Sequence, residues 1–412
     1  MDTEHIVIAG GGLAGATAAK TLRSEGFPGR ITVVAAETEI PYLRPPLSKE
    51  FLLGKAGEDT VPVLPAGWYQ ENDVELLLGG TAVAADPGAH TVSLDSGTEL
   101  QFSKLLIASG AKPRRLPIQG SDLDGVTTFR TFNDSRRLKE ELSAGGKKVA
   151  MIGSGWIGME LAAAARSYGN DVTLMGLEEV PLGAAIGPEL GGFFRSLQER
   201  HDVQFRLPAS AAEIKGTNGK VSAVVTNTGE EIPADLVVVA VGVAPDTALA
   251  EKAGLEIDNG ILVDASLRTS SPDVFAAGDV ANALHPFTGR HHRSEHWSNA
   301  LNGGKVAAKA MLGQHAKLDV VPYFYTDQFD VSMEYSGYPT LAEGTVPVIR
   351  GSMAENSFIA FWLRDSVVVA GMSVNHQRVQ KPIKALISGR VNVDAERLSD
   401  PAVPLDQLLP AS

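Results

Sequence analysis

"IVIAGGGLAG", residues 6 to 15, decides the fold of this chain, because its design returns as "VAMIGSGWIG" at residues 149 to 158. In the first copy the β-branched run "HIVIAG" leads into Gly10, Gly12 and Gly15, and "LAGATAAKTLRSEG", rich in alanine and other helix formers, follows. The glycines therefore stand between a strand and a helix. One permits the tight turn, one lets a pyrophosphate approach the backbone, and one allows helix and strand to pack closely. The helix start offers unpaired N–H groups and a partial positive charge to phosphates. A second strand, "RITVVAAE", ends in Glu37, 22 residues past Gly15. A carboxylate there can accept hydrogen bonds from an adenosine ribose.

The second copy has the same context. "KKVAMIG" leads into Gly153, Gly155 and Gly158, "MELAAAARSYG" reads as a helix, and "DVTLM" as the next strand. Two copies imply two dinucleotides held by two Rossmann-type units. One site is expected to hold FAD permanently and the other to receive a nicotinamide dinucleotide, so that hydride passes between the rings. The second strand ends "TLMGLEE", which puts Gly176 at the expected acid position, with Glu178 and Glu179 beyond it as substitute ribose partners. No Arg or Lys lies nearby to meet a 2′-phosphate, so NADH is expected rather than NADPH.

The chain has 412 residues, more than one hydrophobic core usually organises, so two or three domains are expected. No run approaches the roughly 20 apolar residues of a membrane span. No basic-then-apolar leader precedes the strand at His5, so a cytoplasmic location is the expectation. The net charge of −13 speaks against a general nucleic-acid surface. There are no cysteines, which excludes a redox dithiol, a thiol nucleophile and a cysteine-ligated metal cluster. If the protein moves electrons, a bound organic cofactor must carry them.

Further stretches follow in order: "PYLRPPLSKEFL" at 41 to 52, "LLIASGAKPRRLP" at 105 to 117, "VVVAVGVAPDTAL" at 237 to 249, "TSSPDVFAAGDVA" at 269 to 281 and "SEHWSNALNGG" at 294 to 304. Together, from about residue 5 to about 390, they resemble the ferredoxin-reductase branch of the two-dinucleotide flavoprotein superfamily. That branch includes putidaredoxin reductase, the reductase components of aromatic-ring dioxygenases and the apoptosis-inducing-factor group. The resemblance implies roles residue by residue. Arg44 and Lys49, in "RPPLSK", match positions lining the FAD site, with Lys49 near the reactive edge of the ring. A cation there would stabilise negative charge on the reduced ring. Glu160 matches the acid that pairs with that lysine and faces the nicotinamide. Asp279 matches the residue that hydrogen-bonds the flavin ribityl and pyrophosphate region. Glu295 and Trp297 match the segment along the ring. Tyr325, in "PYFYTDQFD", stands where the family usually has tryptophan, and stacking remains open to it.

The resemblance implies a glutathione-reductase-like α/β fold: two Rossmann-like dinucleotide-binding domains plus a C-terminal α+β domain. The FAD-binding domain would comprise 1–115 and 246–322, the NAD-binding domain 116–245 and the C-terminal domain 323–412, ending in a loosely held tail. Relatives that reduce disulfides carry a cysteine pair where this chain reads "RPPLSKEFLLGK". Without one, electrons must leave the flavin directly, which suits a one-electron iron–sulfur ferredoxin. Ferredoxins are generally acidic, so a local basic patch is needed on this acidic chain, with Arg290, Arg293, Arg378, Lys381, Lys384 and Arg390 as candidates. The alternatives are an NADH-dependent reductase of a small acceptor, such as a quinone or ascorbate radical, and a redox-sensing binding protein like apoptosis-inducing factor.

Overall fold

A computed structural model describes residues 4–409. The chain forms two compact units. The first comprises Met1–Leu43, Glu58–Lys112 and Ala244–Pro322, and the second Arg44–Gly57, Pro113–Val243 and Tyr323–Ser412. Among the described residues no helix is long and apolar enough to cross a membrane.

The first unit is built on an all-parallel sheet in the spatial order Val274–Ala276, Lys104–Ile107, His5–Ala9, Arg30–Ala35, Val74–Leu78. Strands of a parallel sheet are covered on both faces, which is why these read as unbroken apolar runs. Val7, Ile8, Ile31, Val33 and Leu105 are fully buried. The helix Leu13–Ser24 carries the chain from the central strand His5–Ala9 to its neighbour Arg30–Ala35. Lys104–Ile107 pairs on the other side, so the C-terminal end of the central strand is a switch point, where open α/β sheets bind ligands. The helix Trp297–Met311 lies along Leu13–Ser24 at glycine distance. A Cβ on Gly304 would stand 2.4 Å from the Ala14 carbonyl oxygen.

The second unit repeats this plan strand for strand. Its parallel order is Val126–Thr128, Leu236–Val239, Lys148–Ile152, Asp171–Met175, Gln204–Arg206. It also contains an antiparallel sheet in the order Tyr323–Gln328, Val331–Gly337, Val367–Val374, Ser357–Arg364, Val348–Ser352, with the helix Gln380–Ser388 packed on it. The two sheets share one apolar core. Edge-on aromatic contacts cross it, Phe193 to Phe358 at 5.1 Å and Trp156 to Phe324 at 5.1 Å. The expected fold class, two Rossmann-like sheets and a C-terminal α+β region, is the one observed.

The C-terminal tail departs from expectation, because it is docked rather than loose. Leu398, Leu405 and Leu408 are buried. The Arg350 guanidinium donates to the carbonyls of Leu398, Asp400, Pro401 and Val403, at 3.3, 2.7, 3.2 and 2.6 Å. Only a planar fork of donors can serve several carbonyls at once. Residues 410–412 lie outside the described residues. Arg350→Lys is expected to lower unfolding stability by about 2 kcal/mol in urea titration. Unchanged stability would mean that the leucines alone hold the tail.

Candidate functional site

The two glycine turns have one geometry. Gly10 and Gly153 have φ of 138° and 119°, and a Cβ on either would collide with a backbone carbonyl oxygen, Ala108 at 2.1 Å or Ala240 at 2.2 Å. Gly15 and Gly158 bring helix onto turn, since a Cβ there would stand 2.1 Å from the Gly10 oxygen or 2.0 Å from the Gly153 oxygen. Gly12 and Gly155 differ in kind. Each precedes its helix in an extended conformation, and a Cβ on either would meet nothing within 4 Å. Neither helix has a side-chain cap or an acid in its first turn. Two open cradles, each facing the unpaired N–H groups of a helix start, fit the pyrophosphates of two dinucleotides.

Register corrects the expectation for the ribose acid. The Gly10 N–H donates to the Val34 carbonyl at 2.8 Å, and the Gly153 N–H donates to the Met175 carbonyl at 2.8 Å. Ala35 therefore corresponds to Gly176, and Glu37 corresponds to Glu178. A carboxylate thus stands at the position corresponding to Glu37, two residues beyond the glycine. Gly176 is glycine for packing, because a Cβ there would lie 2.2 Å from the Ser154 Oγ. In the first copy the roles are exchanged, with Ala35 filling the space opposite Gly11, where a Cβ would stand 2.4 Å from the Ala35 Cβ. The Glu37 carboxylate accepts from the Tyr42 hydroxyl at 2.6 Å and that of Glu178 from the Ala184 N–H at 2.9 Å. These bonds orient the two side chains.

Within the second unit the structure brings Lys49, Glu160 and Tyr325 together. Glu160 sits on the helix Trp156–Ser167, just after Gly158, and is 3% exposed. Its Oε2 accepts from the Lys49 ammonium at 2.8 Å and from the Ser48 hydroxyl at 2.5 Å. Its Oε1 accepts from the Thr326 hydroxyl at 2.6 Å. The Lys49 nitrogen stands 5.2 Å from the Tyr325 ring centroid. Burial, with smaller contributions from the Glu50, Asp327 and Glu160 carboxylates, pushes the Tyr325 phenol up to about 12, so it stays neutral at working pH. A buried ion pair costs desolvation that its attraction barely repays, and apolar residues of the same volume would serve stability as well. Stability alone therefore does not account for such a pair, whose glutamate lies on the helix that starts at a cradle. Ser48 and Thr326 were present in the quoted motifs, but their partnership with Glu160 needs the fold.

Arg44, also in the second unit, donates to the Arg130 carbonyl at 2.5 Å. In the first unit Asp279 lies on the turn Gly278–Val280, against which Trp297–Met311 packs. Glu295 is exposed and paired with Arg293 at 2.7 Å, and Trp297 opens the helix. His296, its N-cap, escaped notice in the sequence. Burial pulls its imidazole down to about 4 against the attraction of Asp279, leaving it neutral at the helix start. Of the six basic candidates, Arg290, Arg378, Lys381 and Arg390 are exposed. Arg293 is half-buried by its pairing and by a bond to the Asp279 carbonyl at 3.3 Å. Lys384 lies 4.2 Å over the Tyr323 ring, and burial pulls its ammonium below the ordinary lysine range.

A duplicated parallel sheet with an open cradle in each copy defines a protein made to hold two dinucleotides. Residues 4–304 match the family described as pyridine nucleotide-disulphide oxidoreductase, and residues 323–409 the one described as reductase C-terminal. The chain is 36% identical to the anthranilate 1,2-dioxygenase system ferredoxin–NAD(+) reductase component of Burkholderia cepacia, covering 99% of this chain and 100% of that protein. The crystal structure of the ferredoxin reductase for the CYP199A2 system from Rhodopseudomonas palustris is similar with a TM-score of 0.95 and 32% identity, over 99% of this chain and 100% of that one. The reductase in the covalent putidaredoxin reductase–putidaredoxin complex is similar with a TM-score of 0.94 and 31% identity, over 98% of each chain. The chain belongs to the pyridine nucleotide-disulphide oxidoreductase family, in its ferredoxin-reductase branch, and is an oxidoreductase.

Proposed function

We propose that this chain is an FAD-dependent NADH:ferredoxin reductase, passing electrons from NADH to an iron–sulfur ferredoxin that serves a monooxygenase or dioxygenase. One observation carries it: two open glycine cradles, with a buried Lys49–Glu160 pair whose glutamate lies on the helix that starts at the second cradle, in a chain without cysteine. Bound FAD supplies the change from two-electron hydride uptake to one-electron release. Residues 1–115 and 246–322 are assigned to FAD, with Gly10, Gly12 and Gly15 at the pyrophosphate, Glu37 at the ribose, and Asp279, Glu295 and Trp297 further along. Residues 116–245 receive NADH over Gly153, Gly155 and Gly158. Residues 323–412 contribute Tyr325, and family position adds Arg44. Lys49 and Glu160 are the catalytic pair, the ammonium offsetting negative charge that builds during hydride uptake. Relatives named for ferredoxins, and a solved reductase–putidaredoxin complex, support the partner. NADH-dependent reduction of an iron–sulfur ferredoxin by the purified protein tests this function; a flavoprotein that reduces quinones but no ferredoxin would overturn it.

Glu178 sets the coenzyme preference. A carboxylate at the ribose accepts bonds from a 2′-hydroxyl and repels a 2′-phosphate. NADH is expected to bind about tenfold more tightly than NADPH, and Glu178→Gln to narrow that gap. A gap unchanged in the variant would remove Glu178 from the ribose site. For ferredoxin docking, the exposed Arg290, Arg378, Lys381 and Arg390 are the stronger members of the basic set, and Arg293 and Lys384 the weaker. Charge reversal at Arg378 and Lys381 is expected to raise the ferredoxin KM steeply at low salt and little at high salt. An unchanged KM would take both out of the interface.

A further inference from the structure

Behind Glu160 a file of polar side chains crosses the apolar core of the second unit. Gln198 donates through its Nε2 to the Met159 carbonyl and to the Gln328 Oε1, both at 2.9 Å. The Gln328 Nε2 donates to the Thr326 Oγ1 at 3.4 Å, and Thr326 donates to the Glu160 Oε1 at 2.6 Å. Gln198, Gln328 and Thr326 are 0, 1 and 1% exposed. The side-chain bonds from Gln198 through Gln328 and Thr326 all donate toward the carboxylate. The Gln198 Oε1, also buried, has no partner, so this amide is retained for its donors. Leucine at 198, methionine at 328 and valine at 326 would fill about the same volume without the polar atoms of the file. Packing therefore does not explain the file.

Its geometry does. Carboxylates rotate about their last bond, and the Glu160 oxygens have different tasks: Oε2 takes Lys49 and Ser48, and Oε1 takes Thr326 alone. Without the Thr326 hydroxyl, Oε1 loses its bond, and the carboxylate is held through Oε2 alone, by Ser48 and Lys49. We propose that Thr326 is a positioning residue for the Lys49–Glu160 pair, its hydroxyl aimed by Gln328 and Gln198. Neither glutamine touches Glu160 in these bonds; they act through Thr326. The proposal rests on the Lys49–Glu160 pair being the reactive one.

Two readouts test it on the full-length flavoprotein. The first is acylation of Lys49 by acetic anhydride, followed by peptide mass spectrometry, with exposed lysines such as Lys381 as internal controls. Lys49 is nearly buried and paired, so labelling is slow in the parent protein. Thr326→Val is expected to raise Lys49 labelling several-fold relative to the controls, and Thr326→Ser to restore the parent rate. The second is the anaerobic hydride-transfer rate, expected to fall about 10- to 100-fold in Thr326→Val with NADH affinity unchanged, and to recover in Thr326→Ser. Should Thr326→Val fail to fold, Gln328→Met, which removes the amide behind Thr326, is measured in the same way. Unchanged Lys49 labelling overturns the proposal. So does raised labelling with an unchanged hydride rate. If the parent protein accepts no hydride from NADH, the proposed function falls, and the labelling alone decides whether Thr326 positions the pair.

Discussion

Gly12→Val is expected to give a folded protein that purifies without yellow colour. The backbone at Gly12 is in an ordinary region, with φ of −84°, and its Cβ would enter open space. The substitution therefore costs little in the empty fold and falls where the pyrophosphate must approach. Overpacking of that kind costs about 3 kcal/mol, which lowers FAD affinity about 100-fold. Gly155→Val is the control with the opposite pattern: colour retained, reduction by NADH lost. Gly158→Ala should instead destabilise its own unit by about 2 kcal/mol or more, because the new methyl meets the Gly153 carbonyl at 2.0 Å. Flavin content and thermal midpoints, with and without added FAD, separate these cases. A yellow Gly12→Val protein with full flavin affinity would place the cofactor elsewhere.

The second large effect is at the ion pair. Lys49→Met leaves the Glu160 carboxylate, 3% exposed, with two hydroxyl donors and no countercharge. Removing one partner of a buried pair costs about 3–5 kcal/mol of stability. The hydride-transfer rate is expected to fall about 100-fold as well, the usual result of losing a preorganised charge at the reacting centre. The double variant Lys49→Met with Glu160→Leu should regain much of the stability and none of the rate. That divergence identifies a pair kept for chemistry, and parallel recovery of both quantities would identify a structural one. Denaturant titration and single-turnover kinetics measure the two sides.

Much of the fold could be read from local pattern. Both strand–glycine–helix units, the strands 357–364 and 367–374 and the helix 380–388 follow from apolar runs, helix formers and turn residues. What escaped depends on contacts between distant positions. The ribose acid of the second copy could not be counted from its glycines, because that crossover is two residues shorter than the first. The strand pairing and the bond from Gly153 to Met175 fix the register and move the position from Gly176 to Glu178. Lys49 and Glu160 are 111 positions apart, and family likeness alone paired them in advance. Nothing local in Thr326 or Gln198 announces a polar file, since their partners lie 166 and 130 positions away. The docked tail was missed for the same reason, as Arg350 precedes the carbonyls it holds by about fifty residues.

The central claim is that two coenzymes bind this chain, one retained and one exchanged, and that electrons arrive in pairs and depart singly. Anaerobic stopped flow tests it most directly, mixing the purified protein first with one equivalent of NADH and then with oxidised ferredoxin. The yellow colour is expected to bleach with NADH and return after two equivalents of ferredoxin per protein. A colourless protein that takes up no flavin, or a yellow one that NADH does not bleach, would contradict it.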